Sequence, residues 1–357
     1  MRCRQLAQEL AAKSEDSPEE GEQALPRMAL DWFEAEQGNW VAVMQQLHRL
    51  ERKDAAVALA VNLVPFFDRR SHWGDWVTTH EIAKACAEKA GNRAGVAGTL
   101  NNLGIVYRQQ GKWPDAITSF EQSLQMKREL GDVHGVAQTL TNLGNVYLQQ
   151  GKWTDAIASF EQSLQTFREL GDVHGVAVTL NNLGNVYRHQ GKWTEAIASF
   201  EQDLQISRQL GDVHGVAQTL NNLGIVYGNQ GKWTDAIASF EQSLQTLRQL
   251  GDVHGEGQTL ANLGMLYKNR HQPDQAKAHW QEALTKLNPS SPDFQKVQQW
   301  LTALDQPQRP NFTRWLIPLG IAVFLVACLF KGQWLWALGG VVVVGAMRWG
   351  RKFKLNR

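Results

Sequence analysis

A six-residue motif returns at a fixed interval through the middle of the chain. Leu-Gly-Asp-Val-His-Gly begins at four positions that are 40 residues apart, Leu130, Leu170, Leu210 and Leu250. A period of roughly 20 to 50 residues is typical of one supersecondary unit stacked on copies of itself, because a single unit cannot bury its own apolar face. The period therefore predicts a stack of repeated units.

Each unit reads as two antiparallel helices. In the first clear copy, apolar residues recur at helical spacing on either side of Gly-Lys-Trp at residues 111–113. They are Leu100, Leu103 and Tyr107 before this break, and Ile117, Phe120 and Leu124 after it. Gly111 supplies the turn within the unit, and Gly-Asp at residues 131–132 ends the second helix and caps the next first helix. The sequence therefore predicts an all-α fold.

The unit resembles the tetratricopeptide repeat. Leu-Gly-x-x-Tyr at residues 103–107, followed by Ala116 and Phe120, matches the family pattern in order and spacing, although Leu100 stands where the pattern has Trp. The 40-residue length and the missing closing Pro resemble the longer variant found in kinesin light chain and in cell-polarity adaptors. The resemblance implies a right-handed α-solenoid with five repeats at residues 93–290.

The chain before residue 93 reads as a weaker copy. Counting back 40 residues from Trp113 gives Trp73, so residues 55–91 are predicted to be a decayed repeat within a degenerate cap at 28–92. The acidic lead at residues 1–27 is expected to be flexible.

Residues 28–95 also resemble the region that links the nucleotide switch to the repeats in signal-transduction ATPases of the NB-ARC type. Trp-Phe-Glu-Ala-Glu at residues 32–36 and the segment Phe67–Trp73 carry this resemblance. The sequence contains no phosphate-binding G-x-x-x-x-G-K-[ST] motif, so we expect the ATPase module to be missing.

The repeats are predicted to end in a capping helix at residues 291–305. Ser291 is a suitable N-cap, and Phe294, Val297 and Trp300 begin one apolar stripe. A short linker at residues 306–313 follows.

Two apolar runs, Trp315–Phe330 and Trp334–Trp349, come after the linker. Each has 16 residues and spans about 24 Å as a helix, slightly less than the hydrocarbon core of a bilayer. Residues 314–350 are therefore predicted to form a hairpin of two short transmembrane helices. A pair of buried core helices and a single bent or re-entrant span remain as alternatives.

Charge predicts the orientation of this hairpin. Arg309 and Arg314 precede it, its turn holds Lys331 alone, and residues 351–357 form a basic tail. Positive residues stay on the cytoplasmic side of a membrane. The repeats and the tail are therefore predicted to lie in the cytoplasm, and the chain to be an integral protein of a bacterial inner membrane that contacts lipid through Trp315–Trp349.

No constellation in the sequence predicts catalysis, a cofactor or a metal site. The histidines of the repeated motif lie one per turn, 40 residues apart, so they are expected to form a surface ladder rather than converge on one ion. Cys3, Cys86 and Cys328 are isolated, which argues against structural zinc. Residues 314–357 contain no Asp or Glu, which leaves the solenoid net negative and a poor partner for nucleic acid.

The polar side of the first helices is the predicted partner-binding groove, because first helices line the concave face in the family that the unit resembles. Amides can pair with a peptide backbone, and Arg or Lys can select an acidic group. The candidates are Asn101, Asn102, Arg108, Asn142, Asn145, Asn181, Asn182, Asn185, Arg188, Asn221, Asn222, Asn262 and Lys268. Alternatively, the amides join neighbouring helices and hold the superhelix.

Two functional hypotheses follow. The first is a membrane-anchored, non-enzymatic scaffold that binds a peptide or helix of a partner protein in this groove. The alternative is a regulatory or sensor subunit of a split signalling ATPase of the NB-ARC type.

Overall fold

The computed structural model describes residues 37–70 and 72–305, and every regular element in these two ranges is an α-helix. The helices are α1 Gln37–Arg49, α2 Lys53–Arg70, α3 Trp73–Lys89, α4 Arg93–Gln109, α5 Trp113–Glu129, α6 Val133–Gln149, α7 Trp153–Leu170, α8 Val173–His189, α9 Trp193–Leu210, α10 Val213–Asn229, α11 Trp233–Leu250, α12 Val253–Asn269, α13 Pro273–Lys286 and α14 Pro292–Asp305. Each helix packs mainly on its neighbours along the chain, which confirms the all-α solenoid.

The repeated glycines and aspartates set the helix boundaries. Gly111 and Gly131 have φ angles of 72° and 71°, a left-handed conformation that glycine adopts without strain. Asp132 is the N-cap of α6, and its carboxylate accepts a hydrogen bond of 2.9 Å from the backbone N–H of Gly135. The same cap begins α8, α10 and α12.

The hydrophobic core is divided into one cluster per unit boundary. In the central cluster, Phe160 of α7 packs with Leu180 and Leu183 of α8, and all three are buried. The glycine of the Leu-Gly-x-x-Tyr motif makes room for this aromatic ring: a Cβ at Gly144 would lie 2.6 Å from the ring of Phe160. The sequence motif thus records a contact between the two helices of a unit.

Helix α14 covers the last unit. The hydroxyl of Ser291 accepts a hydrogen bond of 3.2 Å from the backbone N–H of Phe294, and the rings of Trp280 and Trp300 lie 5.7 Å apart. At the other end, α1 packs on α2 and α3 through buried Met44.

Several predictions fall on residues that the structure does not describe. They are the lead at 1–27, the beginning of the cap at 28–36, the linker at 306–313, the membrane hairpin at 314–350 and the tail at 351–357. Among the helices of residues 37–305, none combines the length and the apolar character needed to cross a membrane.

Candidate binding groove

The first helices of the repeats, α4, α6, α8, α10 and α12, line the inner side of the solenoid. Successive first helices contact each other, and successive second helices from α5 to α13 contact each other less. The stack therefore curves towards the first helices, and we call the surface that they form the groove. All thirteen predicted site residues lie on these helices, twelve of them partly buried and Lys268 exposed.

At both ends of the groove, amides join neighbouring units. The side-chain amide of Asn142 donates to Oδ1 of Asn101 at 3.1 Å, and that of Asn262 donates to Oδ1 of Asn221 at the same distance. At these positions the structure favours the alternative in which the amides hold the superhelix.

Two middle units lack this bridge. Thr141 stands where Asn101 and Asn221 stand in the end units, and its hydroxyl pairs with Ser163 at 2.8 Å. Asn181 directs its amide towards Asp203 of α9, at 2.8 Å, and Thr219 of α10, at 3.3 Å, and not towards Asn222. As a result, Asn182 and Asn222 make no side-chain hydrogen bond within the described residues, and the same is true of Asn145. These amides are available to a ligand.

A continuous series of side-chain hydrogen bonds runs along one face of α8 in the middle of the groove. Asn185 donates to Oδ1 of Asn181 at 3.2 Å, and Nη2 of Arg188 donates to Oδ1 of Asn185 at 3.2 Å. Nη2 of Arg188 also lies 3.2 Å from Nε2 of His189, whose ring stacks on Trp153 with centroids 5.6 Å apart. This series of hydrogen bonds joins three of the predicted site residues, Asn181, Asn185 and Arg188.

Arg188 has an unusual electrostatic setting. Burial lowers the pKa of its guanidinium, because desolvation disfavours the charged form. Burial also lowers the pKa of His189, and the charge of Arg188 adds to that effect. In the part of the chain that the structure describes, no carboxylate forms an ion pair with Arg188. The groove therefore holds a partly desolvated cation that lacks a counter-ion of its own.

Sequence reasoning missed Asp203, the buried acid to which Asn181 donates at 2.8 Å. The sequence does contain a signal for this residue, because the equivalent positions of the other close copies are all serine: Ser123, Ser163 and Ser243. The sequence predicts that Trp153 packs at the turn of its unit, but it does not predict that the ring of His189 stacks on it, because that contact depends on how consecutive units pack. His80, buried against Asn102 at 3.3 Å, was a further omission.

The histidines of the repeated motif behave as separate surface groups. Nε2 of His134 lies 2.9 Å from the carboxylate of Asp172 in the next unit, and His214 pairs with Asp252 at 3.2 Å. Within residues 37–70 and 72–305, no group of three or more His, Cys, Asp or Glu is arranged to hold a metal ion. His134 and His214 thus each link their own unit to the next one.

The chain belongs to the tetratricopeptide repeat family. The family model matches residues 78–129, 95–169, 135–209, 175–249 and 215–287, which confirms the resemblance seen in the sequence. The protein is a repeat scaffold of the kind that binds other proteins. A comparison with curated proteins gives no match.

Solved structures share this fold at low sequence identity. A signal-transduction ATPase with numerous domains and a tetratricopeptide repeat sensor, from Pyrococcus horikoshii, is 13% identical with a TM-score of 0.59, and the match covers 89% of this chain and 45% of that chain. A Rap protein complexed with competence and sporulation factor is 13% identical with a TM-score of 0.54, covering 70% and 75%. BtubC from P. vanneervenii is 19% identical with a TM-score of 0.50, covering 72% and 96%. At such identities the likeness shows the fold alone.

Proposed function

We propose that the middle of the groove, on α6, α8 and α10, binds an acidic segment of a partner protein. One observation carries the proposal: Arg188 is partly desolvated and lacks an acid partner, and free amides stand on the same surface. A carboxylate placed against Arg188 forms a charge-assisted hydrogen bond in a setting of reduced dielectric, which offsets the cost of burying the guanidinium.

The amides supply the second part of recognition. Asn145, Asn182 and Asn222 each offer two donors and one acceptor, which match the N–H and C=O groups of an extended backbone. Their repeat along α6, α8 and α10 gives one such contact per unit. We therefore assign sequence-independent contacts to these amides and the choice of an acidic residue to Arg188.

Selection from a random peptide library against the full chain tests this assignment. We expect acidic peptides whose affinity falls about tenfold or more when Asn182, Asn185 and Arg188 are replaced together by Ala. The matched control replaces Gln162, Gln202 and Gln242 by Ala, three exposed amides on the second helices. Equal affinity for the groove variant and the control would contradict the proposal.

We further propose that the apolar runs within Trp315–Trp349 anchor this scaffold in the inner membrane of a bacterium, with the repeats in the cytoplasm. The support is the length, the aromatic ends and the flanking basic residues of the runs. Tethering would raise the effective concentration of a captured partner at the bilayer. Only the sequence carries this part of the proposal.

Flotation of the full chain with anionic liposomes tests the anchor. Replacing Leu325 and Val342 by Asp places a charge near the middle of each run, at a cost of about 3 kcal/mol each, and should release the chain from the vesicles. The control, Gln333→Asp, changes the turn between the runs and should leave flotation intact. An anchor is excluded if the double variant floats as the unmodified chain does.

The second candidate function is a sensor subunit that acts on a separately encoded nucleotide switch. The support is the fold shared with the repeat-bearing ATPase of Pyrococcus horikoshii over 89% of this chain. We expect the native protein to copurify with a nucleotide-switch protein whose ATP hydrolysis changes when this chain is added. Copurification without any change in hydrolysis would argue against this candidate.

A further inference from the structure

Asp203 is the one acid among four equivalent positions of the second helices. Ser123, Ser163 and Ser243 hold the corresponding place, and their hydroxyls donate to backbone carbonyls of the preceding first helix at 2.7, 2.8 and 2.7 Å. An ionised carboxylate cannot donate in this way, because it is only an acceptor. The carboxylate of Asp203 therefore needs hydrogen-bond donors from other side chains.

Three side chains supply these donors around a carboxylate that is 3% exposed. Asn181 donates from Nδ2 at 2.8 Å, Thr219 lies 2.5 Å away through its hydroxyl, and Ser207 donates at 3.1 Å. They come from α8, α10 and α9, so the acid joins the second helix of its unit to both adjacent first helices. A buried charge requires such partners.

The carboxylate of Asp203 orients the amide of Asn181, whose Oδ1 is one of two acceptors that orient the amide of Asn185. Because the NH₂ group of Asn181 faces the carboxylate, its Oδ1 faces Asn185 and accepts from Nδ2 at 3.2 Å. The backbone carbonyl of Asn181 accepts from the same Nδ2 at 3.1 Å. The Oδ1 of Asn185 is then left facing Arg188, and it accepts from Nε at 3.4 Å and from Nη2 at 3.2 Å. A flipped Asn185 would instead present donors to the guanidinium.

We call the hydrogen-bonded series Asp203, Asn181, Asn185 and Arg188 the relay. These four residues occur together in one unit only. The unit before it has Thr141 and Leu148 in place of the first amide and the arginine, and the unit after it has Ile225 and Gly228 in place of the second amide and the arginine. The first unit retains Arg108 and has Ile105 where the relay has Asn185. The relay is therefore a property of the third unit and not of the repeat.

We infer that Asp203 is a positioning residue, which orients the amides of Asn181 and Asn185 and so sets where the Arg188 guanidinium stands to receive a carboxylate. This inference rests on the proposed groove function. Asp203 itself does not contact the ligand. It acts by setting which end of each amide donates and which end accepts. Its replacement thus changes acid selection without removing any contacting side chain.

The first test needs no ligand. Arginine labelled with ¹⁵N in the full chain reports the Nε–H of Arg188, assigned through its loss in Arg188→Lys. We expect Asp203→Ala and Asp203→Ser to speed hydrogen exchange at this Nε–H about tenfold, since the carboxylate that orients Asn181 is gone and the acceptor at Asn185 is held less firmly. Asp203→Ser restores the residue of the other units and is expected to fold. Ser243→Ala, in the unit that lacks the relay, is the control and should leave Arg188 unchanged.

The second test uses an acidic peptide recovered from the library and its amide counterpart, with Asn and Gln replacing Asp and Glu. Asp203→Ser should weaken the acidic peptide about tenfold and leave the amide peptide unchanged. Unchanged exchange and unchanged preference in both Asp203 variants would overturn the positioning role, even if Arg188→Ala abolishes binding and so supports the groove. Failure to recover any groove-dependent peptide would overturn the groove function, and the exchange experiment would still decide whether Asp203 orients Arg188.

Discussion

The contact between a glycine and an aromatic ring recurs in every clear unit. A Cβ at Gly184 would lie 2.6 Å from the ring of Phe200, as it would at Gly104 against Phe120. The last unit has Trp280 over Gly264, and its indole N–H donates to the carbonyl of Ala261 at 3.1 Å. The larger ring is thus accepted because its polar atom finds a partner.

Gly184→Ala should lower the free energy of unfolding by about 1–3 kcal/mol, because the added methyl group overlaps the ring of Phe200. Urea denaturation followed by circular dichroism measures the change. Gly98→Ala is the control, since a Cβ there has no atom within 4 Å; it should raise stability slightly by favouring the helix. A similar effect of both substitutions would show that the ring contact does not limit the glycine position.

Asp203 should make stability depend on pH. Burial raises its pKa above the ordinary value of 3.8, hydrogen bonds from its three donors oppose this, and Asp212 adds to it. A folded-state pKa above the unfolded-state pKa means that the folded chain binds the proton more tightly. Relative to Asp203→Ser, wild-type stability should therefore rise as pH falls through the raised pKa towards 3.8. Parallel stability curves across this window would contradict the shift.

At the scale of elements, each boundary between units is closed by a left-handed glycine and a capping aspartate. Gly171 has a φ angle of 70° and ends α7, and Asp172 then caps α8 through the N–H of Gly175 at 2.9 Å. The pKa of Asp172 is lowered by this backbone hydrogen bond and, to a smaller extent, by His134, against a smaller opposing effect of burial. Asp172 thus caps the beginning of α8 and also contacts His134 of the previous unit.

Asp172→Ala should cost about 1 kcal/mol of unfolding free energy, because the N–H of Gly175 loses its acceptor. Asp172→Asn keeps a capping oxygen and should retain most of the stability. Urea denaturation of both variants near neutral pH makes the comparison. Equal losses for Ala and Asn would mean that charge, including the pairing with His134, matters more than the cap.

At the scale of the whole molecule, the units form a linear array in which each unit contacts its neighbours. Residues 131–170 and 171–210 differ at few positions, and both begin at the same Gly-Asp boundary. Deleting residues 131–170 joins Leu130 to Gly171, and deleting residues 171–210 joins Leu170 to Gly211. Both junctions restore the Leu-Gly-Asp sequence of the intact chain. Local function and global fold are therefore separable by deletion.

Deletion of residues 171–210 should leave a cooperatively folded solenoid with an unchanged helical signal per residue and without acidic-peptide binding. Deletion of residues 131–170 is the matched control: it should fold equally well and, because it retains Arg188, Asn185 and Asp203 in one unit, still bind the acidic peptide, although more weakly without Asn145 of α6. Circular dichroism and peptide titration compare the two. Peptide binding by the first deletion variant would place the site outside the third unit.

The sequence alone determined the helices, their boundaries and their stacking. Gly131, Asp132 and Phe120 act through neighbours a few residues away or one unit on, so a fixed period shows their roles without coordinates. The groove was predicted as a set of polar positions, but which amides bridge units and which stay available was left open.

Only the tertiary structure decided that question. Asn142 and Asn182 have the same place in the repeat, yet one pairs with Asn101 and the other lacks a partner within the described helices. The difference comes from Thr141 and Ser163 on adjacent helices, and for Asn222 from Asp203 on α9. Hydrogen bonds between helices depend on distances of tenths of an ångström and on the partners that compete for each donor, and a linear pattern of residue types specifies neither.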